Sequence, residues 1–191
     1  MQSQLARTLT DDSLSEDAPP RPDLRVVAAA RSPRVFRTLG VATAGLVAAG
    51  GYVHFCLYRH GYRTIPKIGV GFALQVVTSA LVVVLLLLGP HRVARAARVA
   101  HLAHVTDRLA GILTALTAAA LAAGTLVAFA LTRTPGGLFN FRERGLQPAP
   151  QALIALVAET GVLVVVGVWL LADRVVQGRL RTTPVRAVPI G

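Results

Sequence analysis

The stretch Gly69–Pro90, GVGFALQVVTSALVVVLLLLGP, decides how this chain is read. Between Gly69 and Leu88 it carries no charged side chain, and Gln75 is its one strongly polar residue. As a helix rising about 1.5 Å per residue it matches the ~30 Å hydrocarbon core of a bilayer. The Val/Leu block ends at Gly89-Pro90, a helix stop signal.

Three further apolar segments flank it. The first span is expected at 35–58, this second one at 69–88, the third at 109–131 and the fourth at 152–172. The fold class is therefore expected to be all-α, a polytopic membrane protein built as a four-transmembrane-helix bundle. Composition points the same way: 53% of residues are hydrophobic and 15% charged, against roughly 25% charged in soluble domains. The remainder divides into a disordered tail at 1–34, loops at 59–68 and 132–151, a basic connector at 89–108 and a basic tail at 173–191. The first apolar run starts only near Val35, so no cleavable leader is expected.

The formal net charge is +11, and arginine supplies nearly all of it. The bases lie beside apolar runs, which implies membrane orientation and anionic headgroups as partners, not nucleic acid. With both termini on one side, that side holds fourteen of the 20 Lys and Arg residues, including Arg92, Arg95 and Arg98 of the connector. The other side holds Arg59, Arg63, Lys67, Arg133, Arg142 and Arg144. The positive-inside rule then predicts an N-in/C-in protein of the bacterial cytoplasmic membrane, with loops 59–68 and 132–151 outside. Arg92, Arg95 and Arg98 recur every three residues, so the connector is read as a helix that either lies on the membrane surface or extends the third span.

Between the first two spans lies the densest chemistry. The hairpin holds Tyr58, Arg59, His60, Gly61, Tyr62, Arg63, Pro66 and Lys67, and Tyr52, Tyr58 and Tyr62 are the only tyrosines in the chain. Gly61 can turn the backbone and Pro66 fixes φ. Such a loop is either an interfacial anchor or a lid over a polar site between the helices.

Three polar residues interrupt the spans: His54, Gln75 and Glu159. At ~1.5 Å per residue they fall about 6, 9 and 10 Å below the outer helix ends, so they should meet. A carboxylate at that depth costs roughly 2.5–3.5 kcal/mol to insert, so Glu159 should face the bundle and find a partner in His54, Gln75, Arg59 or Arg63. The cluster can be a hydrogen-bonded knot that fixes helix register, a site for a proton, ion or small ligand, or a contact for another subunit. Helix packing is expected along Gly40/Ala44/Ala48 and Gly45/Ala49 in the first span, and along Gly111/Ala115/Ala119/Ala123 in the third.

Other chemistry is thin. Cys56 is the single cysteine, so no intramolecular disulfide and no Cys-based metal site can form. His91, His101 and His104 sit among arginines that repel cations, so no metal is expected. His54 and those three histidines lie at opposite faces, which rules out a shared haem. No cofactor is implied, and neither a nucleophile–base–acid set nor a phosphate-binding glycine loop is visible.

The run His54-x6-Gly61-Tyr62-Arg63-x-Ile65-Pro66-x-Ile68-Gly69, followed by Phe72 and Gln75, resembles the hairpin of uncharacterised actinobacterial four-helix integral membrane proteins. The resemblance covers about a sixth of the chain. It implies the four-span plan and draws attention to His54 and Arg63, but brings no activity with it. The expected function is a non-enzymatic accessory or scaffolding membrane protein, with a membrane-protein partner or a second copy of the chain bound through its outer hairpin and polar cluster. The alternative is a small proton- or ion-linked transporter using Glu159 and His54.

Overall fold

The computed structural model describes residues 33–182 apart from 101 and 103. Residues 1–32 and 183–191 of the two expected tails, and His101, lie outside the described residues. The elements among the described residues are all helical: α1 (Pro33–Arg59), a short 3-10 turn (Tyr62–Thr64), α2 (Ile68–Leu88), α3 (Pro90–Val99), α4 (Asp107–Leu131) and α5 (Gln151–Thr182). Four of these helices, α1, α2, α4 and α5, are long and apolar enough to cross a membrane.

The four long helices form an antiparallel ring. α1 packs mainly on α2 and α5, and α4 on α5 and α2, which leaves α1 and α4 on a diagonal. Residues 60–67 and 132–150 meet at one end, here the loop end. α3, the start of α1 and the far part of α5 share the other, basic end. There Phe36 of α1 meets Trp169 of α5 edge to face, with ring centroids 6.3 Å apart.

The core is made of small side chains. Val47, Val82, Ala115, Ala118, Ala122, Val162 and Val166 form its buried cluster. α2 turns Val70, Leu74, Val77, Leu81 and Val84 outward. In water such a strip would be an aggregation surface, whereas against acyl chains it matches the solvent.

Of the small residues expected to pack, Ala44, Gly111 and Ala115 are buried, while others are not. A β-carbon added at Gly40 or Gly45 would meet nothing within 4 Å, and Ala48 and Ala49 are exposed. The close approaches of α1 are instead at Gly50 and Gly51: a β-carbon on Gly51 would lie 2.7 Å from Ser79 Cβ of α2. In α4 the buried line runs Gly111, Ala115, Ala118, Ala122, not along strict fourth positions. A straight helix turns every 3.6 residues, so a stripe counted in fours drifts off the contact face within two turns.

At the basic end the connector is a helix of its own. Gly89, at φ 79°, turns the chain out of α2 and into α3. Ala94 is fully buried against Val105 and Ala110, while Arg92, Arg95 and Arg98 are exposed. Thr106 caps α4, its hydroxyl accepting the Leu109 N–H at 3.2 Å. α5 runs on past the expected end at 172, and Asp173 within it accepts Arg108 Nη2 at 2.7 Å, tying α5 to the start of α4.

Candidate functional site: a loop clasp above a buried carboxylate

The hairpin motif has a backbone explanation. Gly61 adopts φ 121°, which a side chain would strain. Thr64 closes the following 3-10 turn by donating its hydroxyl to the Gly61 carbonyl at 2.7 Å. Lys67 takes φ 65° to start α2, and Ile68 is buried behind it. Gly69 packs on the backbone of Arg63, where a β-carbon would lie 2.7 Å from the carbonyl oxygen. Arg63 thus contributes its main chain to the turn. Its side chain is exposed, as are Arg59, His60, Pro66 and Lys67, while Tyr58 is half-buried.

Two hairpin side chains reach across to the second loop: Lys67 places its ammonium 5.4 Å from the centre of the Phe139 ring, and Tyr62 makes the polar contact. Its hydroxyl donates to Glu143 Oε1 in the second loop. Glu143 also pairs with Arg133, Nη1 to Oε2 at 3.2 Å, with both side chains mostly shielded. Arg133 is held on every side. It donates to the carbonyls of Phe129 at 3.0 Å, Gly145 at 3.0 Å and Gln147 at 2.8 Å, and to the Thr132 hydroxyl. Its guanidinium lies 3.3 Å over the Phe129 ring. Burial, then the hydrogen bond and charge of Glu143, push the Tyr62 phenol well above its ordinary value.

Sequence reasoning missed this clasp. Arg133 entered only the charge count, and Glu143 was passed over. The available signal was that Glu143 is the single acid in the whole of 132–151.

Beneath the clasp an aromatic column descends into the bundle. Tyr62 meets Phe141 edge to face and lies tilted over Phe72, at 5.9 and 4.9 Å between centroids, and Phe72 meets the His54 ring at 5.2 Å. Beside the column is a cavity of about 110 Å³, lined by Tyr62, Arg133 and Glu143 toward the loops and by His54 and Ala155 toward the interior.

One helical turn below Ala155 comes Glu159, only 4% exposed. Gln75 Nε2 approaches its Oε1 at 3.5 Å, at the outer limit of a hydrogen bond. The same oxygen would lie 2.8 Å from a β-carbon on Gly50. His54 Nδ1 lies 2.8 Å from the Gly50 carbonyl. A carbonyl can only accept, so this ring nitrogen carries the proton. Gly50 is thus the floor on which the acid of α5 rests and to which the imidazole of α1 is tied.

Gln75 and Glu159 come together as expected, with His54 one turn away and turned toward Phe72. No arginine reaches the acid: among the described residues the ion pairs are Arg98–Asp107, Arg108–Asp173 and Arg133–Glu143. Glu159 and Gln75 do not line the cavity, which ends at His54. The buried Ser79 hydroxyl, packed on Gly51, has no hydrogen-bond partner among the described residues.

Arg92, Arg95 and Arg98 are separated from this site by the length of the bundle. Among the described residues no three His, Cys, Asp or Glu side chains cluster as a metal site would require. No protein-family model, curated protein or solved structure matches the chain.

Proposed function

We propose that this chain is a non-enzymatic accessory or scaffolding protein of the bacterial cytoplasmic membrane, with both termini inside and the clasped loops presented outside. The observation that carries this reading is the Tyr62–Glu143–Arg133 clasp. It joins the two loops into one platform through partly buried, charge-assisted hydrogen bonds. Rigid loops lower the ordering cost of recognition, which suits a surface meant to hold a partner. Below it, the carboxylate of Glu159 is sealed against Gly50 and Gln75, as a register-fixing knot would be. The distribution of arginines supports the orientation, and the hairpin's resemblance to actinobacterial four-helix proteins supports a bacterial membrane.

A second reading, a small proton- or ion-linked carrier, draws on the cavity that reaches His54 from the loops. Against it, the route stops a turn short of Glu159.

Photo-crosslinking in intact cells separates the two. A crosslinker at Phe139, exposed on the platform, should give a discrete protein adduct that weakens in Glu143→Gln. The same group at Leu74, on the lipid face, should give none. Absence of any platform adduct, together with Glu159-dependent proton uptake in proteoliposomes, would reject the scaffold and establish the carrier.

A further inference from the structure

At the basic end of the bundle a larger cavity, about 600 Å³, opens between α1, the turn from α2 to α3, α4 and α5. Its walls are apolar, with Phe36, Leu86 and Trp169 among them, while Arg37 and Arg92 stand at its margin. Both arginines are exposed, and among the described residues neither forms an ion pair. On the wall, Trp169 carries a buried indole N–H with no hydrogen-bond partner among the described residues. Gly40, also in the lining, leaves open space where a side chain would stand.

An apolar hollow in a bundle surrounded by lipid loses dispersion contacts along its whole lining unless something fills it. The nearest material is an acyl chain. Two guanidiniums at headgroup depth, without an ion pair among the described residues, select among lipids by charge. We infer that this cavity seats one anionic phospholipid, with an acyl chain between α1 and α4 and its phosphate at the Arg37/Arg92 margin. The ester groups of such a lipid bring carbonyl acceptors to the wall that holds the Trp169 donor. The stretch of sequence leading into α1, with Arg25, Arg31 and Arg34 against the single acid Asp23, has the same sign of charge as Arg37 and Arg92, and the tail as a rival occupant is one arm of the test. The inference stands apart from the loop platform and would survive its failure.

The test is native mass spectrometry of the full chain, delipidated in detergent and titrated with phosphatidylglycerol, with phosphatidylcholine of the same chains, and with inorganic phosphate. One phosphatidylglycerol should be retained per chain, with a preference of about tenfold over phosphatidylcholine. Arg37→Gln with Arg92→Gln should abolish that preference, and Arg95→Gln with Arg98→Gln should keep it. Gly40→Leu should fill the hollow and lose the bound lipid of either type. Equal retention of the two lipids by the unaltered chain would overturn the inference, as would a Gly40→Leu variant that binds undiminished. Displacement by inorganic phosphate alone would reassign the site to a free anion. Lipid binding that appears only after removal of residues 1–30 would assign the cavity to the tail.

Discussion

Glu159 rests on the bare backbone of Gly50, its Oε1 2.8 Å from the point where a β-carbon would stand. A methyl group there must push the carboxylate, the far end of a flexible side chain, off its place beside Gln75. Gly50→Ala should therefore destabilise the protein in detergent by about 1 kcal/mol, the low end of overpacking, because the carboxylate can yield. Gly45→Ala, with nothing within 4 Å, is the control and should be neutral or slightly stabilising. Adding Glu159→Ala to Gly50→Ala should recover part of the loss. Additive losses in that double-mutant cycle would mean that the two residues do not bear on each other.

Removing Glu143 leaves Arg133 charged, mostly shielded and short of its counter-ion. Glu143→Ala should cost about 1.5–3 kcal/mol and Tyr62→Phe about 0.5–1.5 kcal/mol, since the second deletes one hydrogen bond and keeps the ion pair. Hydrogen exchange should quicken in both loops at once, near 62–64 and near 138–145. Quickening confined to the mutated loop would show that the clasp does not couple them.

The Tyr62 phenol holds its proton more tightly in the folded chain than when free, because burial and Glu143 both oppose the phenolate. The folded-state value is raised, so the clasp is intact below the ordinary tyrosine range near pH ~10 and loses stability as pH rises beyond it. Ultraviolet titration should show a late-ionising phase to which Tyr62 contributes, and Tyr62→Phe should shrink it. An undiminished late phase in Tyr62→Phe would show that the clasp does not hold this phenol's proton.

Sidedness is open to direct labelling. In a Cys56→Ser background, a cysteine at Thr64 should react with an impermeant maleimide in intact cells. One at Arg95 should react only after permeabilisation. The reverse pattern would invert the proposed orientation.

The four spans could be read directly because an apolar run long enough for a bilayer has few other uses. The meeting of Gln75 and Glu159 followed from depth alone, given antiparallel neighbours. What depth could not supply was direction around the helix. Gly40 and Gly50 look equivalent as letters, yet only Gly50 faces a neighbour, and that is settled by which ring of helices forms. Glu143 was hidden for a related reason. A lone acid in a turn-rich loop has no period to betray its partner, and Tyr62 lies 81 residues away. Arg63 misled in the opposite sense: within a recognisable motif its guanidinium drew the eye, while its peptide carbonyl is what Gly69 packs against.

α1 is the most interior of the four helices long and apolar enough to cross a membrane, and also the least apolar. That combination has a consequence for biosynthesis. α1 leaves the ribosome before α2 and is the segment that partitions least readily into lipid by itself, while α2, the most apolar, follows within a short hairpin. Insertion as a pair would solve the difficulty, with α2 drawing its weaker predecessor across. The tight turn held by Gly61 and Gly69 would then act during translation, well before there is a finished bundle for it to decorate.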